Sequence, residues 1–217
     1  MVNWGVFAGA LALAFLPLRL EPAAAAKSAP SFFNTMETKS SRLKVFKKWN
    51  TAVARYSKET AEKKKGNCKA TTFNKCHYER WMKFLKTLKG KDPMTQLRRV
   101  NLVMNRSKYI LDITNWGVKD YWESPGEFLT RSGDCEDYAI IKYMSLKILG
   151  FKVDNMRVAV LNDLNLKIGH AILMVYLDGK ILVLDNQIKK VVEAKTIRHY
   201  QPVYSINEKN WWRHRAK

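Results

Sequence analysis

Three side chains in the second half of the chain are of the right types for acyl-transfer chemistry: Cys135, His170 and Asp185. A thiolate can attack an acyl carbon, an imidazole can carry the proton, and a carboxylate can hold the imidazole in place. Cys135 lies in SGDCEDYA, residues 132–139, between Asp134 and the pair Glu136–Asp137. Negative neighbours raise a thiol's pKa and make the thiolate scarcer. If Asp134 is the N-cap of the helix that follows, Cys135 is its first residue. Free amide hydrogens and the positive end of the helix dipole then act the other way, and a backbone N–H is available to an oxyanion. The same stretch also fits a small core cysteine in an ordinary acidic first turn, and the helix alone does not separate the two.

The spacing of His170 and Asp185 adds weight. LDGK, residues 177–180, has the form of a two-residue hairpin turn at Asp178-Gly179. In that register Leu177 faces Lys180, Tyr176 faces Ile181, Ile172 faces Asp185 and His170 faces Gln187. Alternation then puts His170, Ile172, Met174 and Tyr176 on one face with Asp185, and Asn186 on the other. Asp185 becomes the diagonal neighbour of His170, roughly 7–8 Å away between backbones. The alternative is a pair of strand-end residues with Asp185 capping a turn, and a three-residue turn would break the parity. His77, His199 and His214 stand in polar or basic sequence with no such partner.

The elements that must position these groups have distinct periods. SRLKVFKKWNTAVARYSKET, HYERWMKFLKTLKG and DPMTQLRRVNLVMNRSKYI carry apolar stripes at helical spacing, the last with Asp92 as N-cap and Pro93 behind it. SPGEFLTRSG is a short capped helix from Ser124, and DCEDYAIIKYMSLKILG is a helix of about four turns stopped by Gly150. MRVAVLN, HAILMVYL, KILVLDN and PVYSIN follow as strands. Helices followed by a helix packed on an antiparallel sheet make an α+β domain.

The chain has 217 residues, 47% apolar, enough for one domain with a real core. Residues 1–26 stand apart. VFAGALALAFLPL followed by EPAAAAKSA has the form of a signal peptide with cleavage near Ala26, although MVNWG lacks Lys and Arg; an uncleaved anchor is the alternative. The expected domain is therefore 27–217, with a basic helical part at 27–108 and a catalytic core at 109–217. Net charge is +20, and unevenly placed: residues 27–108 carry 22 Lys and Arg against 5 Asp and Glu, residues 109–217 carry 16 against 13. No zinc-finger spacing or RNA-binding aromatic signature accompanies the basic half, so nucleic acid is not expected. A lysine-rich helical surface remains, open to an acidic partner or an anionic membrane surface. In an exported protein Cys68 and Cys76 could close a small disulfide loop, which leaves Cys135 as the odd thiol.

WGVKDYWESPGEFLTRSGDCEDYAIIKYMSLKILGF, GHAILMVYLDGKILVLDN and PVYSIN resemble the bacterial transglutaminase-like cysteine peptidases of the periplasmic LapG type, over about Trp116 to Trp212. The basic stretch around Cys68–Cys76 is outside that resemblance. It implies a papain/transglutaminase-like core and a Cys-His-Asp triad at Cys135, His170 and Asp185. It implies calcium held by acids flanking the cysteine, here Asp134 and Glu136, with Asp137 a further candidate. It implies cleavage near the N-terminus of a large surface adhesin, and sequestration by an inner-membrane cyclic di-GMP receptor. Calcium would make three carboxylates beside a thiolate tolerable. Without metal, the same acids are helix caps. Two rivals stand beside this reading: amide transfer or deamidation through the same acyl-enzyme, and a non-catalytic binding module in which the basic helices carry the function.

Overall fold

The computed structural model describes residues 1, 32–62 and 64–217. The expected signal peptide lies outside them. The described chain runs β1 (Met36–Ser40), α1 (Lys47–Glu62), α2 (Lys75–Lys86), α3 (Pro93–Met104), α4 (Asp112–Asn115), α5 (Pro125–Arg131) and α6 (Cys135–Ile148). It continues with β2 (Met156–Asp163), β3 (Ile168–Leu177), β4 (Lys180–Leu184), β5 (Val192–Glu193), β6 (Tyr200–Ile206) and β7 (Trp211–Arg215). The strands form one antiparallel sheet in the order β1-β7-β6-β2-β3-β4-β5. The fold is α+β, as the sequence leads one to expect.

α6 is the central helix. Its residues from Glu136 to Leu146 are all buried, including Ile140, Ile141, Tyr143 and Met144. The helix is buried all round because it has layers on both flanks, and its buried residues include the polar Glu136, Asp137, Lys142 and Ser145. It packs on β3 and β2 below and on α3 and α5 beside it. Leu173, Val175, Leu182 and Leu184 turn toward the helical layer, whereas Ile172, Met174, Ile181 and Val183 form a second core on the opposite face with Phe32, Ile197 and Tyr200. Alternation along β3 and β4 thus fills two cores with one hairpin.

The ends are set by local chemistry. Asp92 accepts from the Thr95 N–H at 2.9 Å, and Pro93 follows it in the first turn of α3. Ser124 and Glu127 cap α5 reciprocally. The β3–β4 turn holds Asp178 and Gly179 at φ 49° and 74°, the left-handed pair a two-residue hairpin requires. Its register matches the sequence reading from Leu177↔Lys180 through Leu173↔Leu184. The pairs expected beyond it, Ile172 with Asp185 and His170 with Gln187, are absent from the ladder. The chain leaves the sheet after Leu184 because the Asp185 carboxylate accepts the Gln187 N–H at 2.8 Å and turns it away.

Cys68 and Cys76 are disulfide-bonded, with Cα atoms 5.3 Å apart. One edge strand, β1, has no clear sequence signal. β1 is METKS, polar and short, and it pairs with β7 along its whole length. The strand is fastened by Glu37, whose carboxylate meets Arg157 at 2.8 Å. His214 corrects the view that the other histidines lie in polar surroundings. It is buried between Thr35 and Ser205, at 3.0 and 2.9 Å, and burial pulls its imidazole down to about 4. No helix among the described residues is long and apolar enough to cross a membrane.

Candidate active site

Cys135 opens α6 behind Asp134 at the N-cap. Its thiol donates to Glu136 Oε2 at 3.1 Å, and the Ala171 N–H of β3 points at the sulfur. Burial pushes the thiol well above its ordinary value, and Glu136 and Asp134 push it further. The helix terminus and the Ala171 N–H do not offset three nearby carboxyls by themselves.

Cys135 and His170 line the same cleft, of about 750 Å³, together with Asp134, Glu136, Tyr109, Leu111 and Trp122. His170 Nε2 meets Asp185 Oδ1 at 3.0 Å. That leaves Nδ1 as the ring nitrogen available to a thiol proton. The acid is fixed more thoroughly than the sequence suggests. Besides the Gln187 N–H on Oδ1, Tyr200 donates to Oδ2 at 2.7 Å, and Asn105 donates to the Asp185 carbonyl at 2.7 Å. Burial raises the Asp185 carboxyl, but the hydrogen bond and charge of His170, then Gln187 and Tyr200, outweigh it and hold the group below the ordinary carboxylate value. The fixed carboxylate selects the imidazole tautomer and holds the ring.

Asn186 makes no comparable contact; its Oδ1 is buried without a partner. Asp185→Asn is therefore expected to lower kcat by about a hundredfold or more, as removal of an imidazole-orienting carboxylate does in such centres. Asn186→Ala should leave kcat within about threefold, since it removes no group that touches the imidazole. Steady-state cleavage by the two variants checks this, and a reversed order would make Asn186 the third member.

The acids around Cys135 form a larger cluster than the sequence reading anticipates. Asp112, from α4, and Asp120 join Glu136 in one trio, and Asp112, Asp134 and Asp137 form another, with candidate ligand atoms within 4.8 Å of one another in each. Asp112 Oδ1 and Asp134 Oδ1 are buried with no hydrogen-bond partner. Burial first, then the neighbouring acids, raise the carboxyls of Asp112 to about 6 and Asp134 to about 8, and raise Glu136 and Asp137 too. Clustered carboxylates with orphan oxygens are a donor set for a hard cation that takes oxygen ligands, and calcium fits it. Asp137 stands differently from the others. Its two oxygens accept the N–H groups of Glu123 and Asp134 at 2.7 and 3.0 Å. A Cβ on Gly133 would lie 2.1 Å from Asp137 Oδ2, so only glycine admits this contact. The geometry makes Asp137 foremost a tie between the α5 entry and the start of α6.

Sequence reasoning missed Asp112, Asp120, Tyr200 and Asn105. One signal for the first two was present. Residues 109–137 hold seven acids against two basic residues, in a chain of net charge +20. Tyr200 and Asn105 belong to a strand and a helix end with no motif, and only the tertiary fold brings them to Asp185.

Residues 65–216 match the family described as bacterial transglutaminase-like cysteine proteinase, BTLCP. The match begins well before Trp116 and takes in the disulfide loop, which the sequence resemblance leaves out. Among solved structures the chain is similar to Legionella pneumophila LapG, at 30% identity and a TM-score of 0.60, covering 75% of this chain and 87% of that one. The calcium-bound form of the same Legionella protein is matched at 29% identity and a TM-score of 0.60, over 80% and 91% of the two chains. Its EGTA-treated form is matched at 29% and 0.61, over 76% and 86%. No curated protein sequence matches the chain.

Proposed function

The chain belongs to the bacterial transglutaminase-like cysteine proteinases, and on that premise we propose that it is a calcium-dependent cysteine endopeptidase, exported to the periplasm, that cuts the N-terminal region of a large surface adhesin and is restrained by an inner-membrane cyclic di-GMP receptor. The observation that carries the reading is the His170 Nε2–Asp185 Oδ1 contact at 3.0 Å behind a cleft that Cys135 shares. The substrate class and the control are what the sequence resemblance to the LapG type implies, and the likeness to the Legionella protein supports that type. The acid cluster beside the thiol, and the calcium-bound state of the Legionella protein, support the metal.

In this reading His170 Nδ1 takes the Cys135 proton as sulfur bonds to the scissile carbonyl carbon. The Cys135 N–H, free at the helix start, meets the developing oxyanion. The imidazolium then protonates the leaving amine as the C–N bond breaks. Water, deprotonated by the same imidazole, hydrolyses the thioester and restores the thiol. Asp185 holds the ring and balances its charge throughout. Calcium on Asp134, Glu136, Asp112 and Asp120 would supply positive charge that offsets the carboxylates beside the thiol.

Incubation of the chain with the N-terminal fragment of an adhesin encoded beside it, with and without chelator, tests the reading. Two product fragments in calcium and none in chelator are expected. An uncut fragment in calcium overturns it. Incorporation of an added amine in place of hydrolysis would assign acyl transfer instead.

A further inference from the structure

Gly169 stands in β3 beside His170, exposed in the wall of the Cys135 cleft. Glycine weakens a strand interior, because it loses the most chain entropy on folding and packs no side chain. The other glycines among the described residues each have a local reason. Three are crowded, as Gly133 is by Asp137, and four stand at positive φ, as Gly179 does in the β3–β4 turn. Gly169 has neither reason: its φ lies outside the left-handed region, and a Cβ built on it meets no atom within 4 Å. Nothing in the fold itself requires glycine at this position. A strand glycine of that kind marks a place where another chain comes close.

Ala171, Val160 and Tyr204 stand side by side across β3, β2 and β6, and all three line the cleft. That row is the cleft floor. Gly169 is two residues from Ala171 on the same strand, so its side-chain position is on the same face. Its backbone is turned to an open edge. In a two-residue turn the Leu177 carbonyl takes the Lys180 N–H, so Leu177, Val175 and Leu173 direct their N–H and C=O groups to β4. The alternation carries on to Ala171 and Gly169, beyond the end of β4 at Leu184. The Ala171 N–H accordingly reaches the Cys135 sulfur rather than a strand. Gly169 directs its N–H and C=O along the same edge, two residues past the sulfur. Val45 and Leu111, 72% and 53% exposed, stand at the rim of this cleft and suit apolar side chains of a chain passing through it.

We propose that Gly169 is a substrate-docking residue: an extended segment of the protein substrate pairs its main chain with the Gly169 N–H and C=O at the open edge of β3, and the side chain opposite lies over the cleft floor in the space a Cβ at 169 would fill. The inference rests on the reading of Cys135 as the nucleophile of a peptidase. Main-chain pairing holds a chain whatever its side chains, and the bare position at 169 leaves room for the one that faces it. The pairing also fixes the scissile carbonyl beside a sulfur that the same strand holds at Ala171.

Gly169→Ala and Gly169→Leu in the full chain, with calcium present, are compared with wild type by Tm, by kcat/KM on the adhesin fragment, and by alkylation of Cys135, the thiol outside the disulfide. Two reagents carry the same electrophile: iodoacetamide, and an octapeptide of alternating Val and Ser with an iodoacetyl group at its centre. The peptide should alkylate wild type about tenfold faster than iodoacetamide, because docking presents its electrophile to the thiol. In the Ala variant Tm should hold or rise, since alanine fits an ordinary strand φ. kcat/KM and the peptide's advantage should fall about threefold in the Ala variant and about tenfold or more in the Leu variant, with the iodoacetamide rate within about twofold throughout. Values within about twofold of wild type in both variants would overturn the proposal. So would a peptide no faster than iodoacetamide on the wild type. An iodoacetamide rate that falls in step with the others would overturn it too, because position 169 would then set the thiol and not the substrate. If the Leu variant does not fold, the Ala variant, whose added carbon meets no atom within 4 Å, decides by the same readouts. If the wild type leaves the adhesin fragment uncut, the substrate reading falls, and the two alkylation rates still decide the role of Gly169.

Discussion

Cys135→Ala should abolish cleavage of the adhesin fragment, by about a thousandfold or more, while Tm stays within about 2 °C of wild type. The two halves of that expectation have different physical grounds. The rate falls because no other thiol or hydroxyl replaces the atom that bonds to the carbonyl carbon. Cys68 and Cys76 are tied to each other in a disulfide. Stability holds because the thiol makes few contacts: Glu136 Oε2 at 3.1 Å and the Ala171 N–H. Alanine keeps the helix start and removes one sulfur from the edge of a cleft, where water can take its place. Cleavage by the variant near the wild-type rate would end the assignment of this centre. A large drop in Tm would instead mean that Cys135 is a packing residue.

What the sequence made legible follows periods and local chemistry. The α6 start was legible because an acid, a cysteine and two more acids precede an apolar run. The β3–β4 register was legible because Asp-Gly admits one kind of turn, and that register set the face of Asp185. The same reasoning failed one residue later. It continued the ladder to Gln187, whereas a side chain folding back on its own backbone ended it at Leu184. β1 was missed because an edge strand of five polar residues, METKS, has no alternation to detect; its reason for being a strand is β7, far away in sequence. Lys142, fully buried on α6, was hidden for the opposite reason. In IIKYMSL it is an ordinary helix former, and only the packing of α3, α6 and the sheet turns it into a buried amine. The acid cluster was partly legible, because Asp134, Glu136 and Asp137 stand beside the cysteine, whereas Asp112 and Asp120 arrive from the segment before α5.

Chelator should inactivate the protein and added calcium should restore it, with a pH signature that helix-capping acids would not give. In the metal-free fold the carboxyls of Asp112 and Asp134 are raised to about 6 and about 8, chiefly by burial, from ordinary values near 4. Between those limits the folded state holds more protons than the unfolded chain. Stability in chelator is then full at the acid end and is lost as pH rises from about 4 to about 8. Calcium needs these groups as carboxylates, so its binding releases protons and strengthens over the same range. The rise in Tm on adding calcium should therefore be small at pH 5 and large at pH 8. At a hundred times its Kd, calcium adds about 2.7 kcal/mol, some 5–11 °C for a chain of this size. Asp134→Ala, Glu136→Ala and Asp112→Ala should each shrink that rise and mimic the chelator in activity. Asp137→Ala should differ from them. Its oxygens already serve two backbone N–H groups, so the loss should lower Tm with and without calcium. Magnesium should restore little, because it keeps its waters and demands octahedral geometry that clustered, fixed carboxylates do not offer. Full activity in chelator, with Tm in chelator flat or rising from pH 5 to pH 8, would return Asp134 and Glu136 to the role of helix-end acids. The thiol would then have to ionise against its carboxyl neighbours with only the helix terminus and the Ala171 N–H to help it, and those are too weak for three carboxylates at such range.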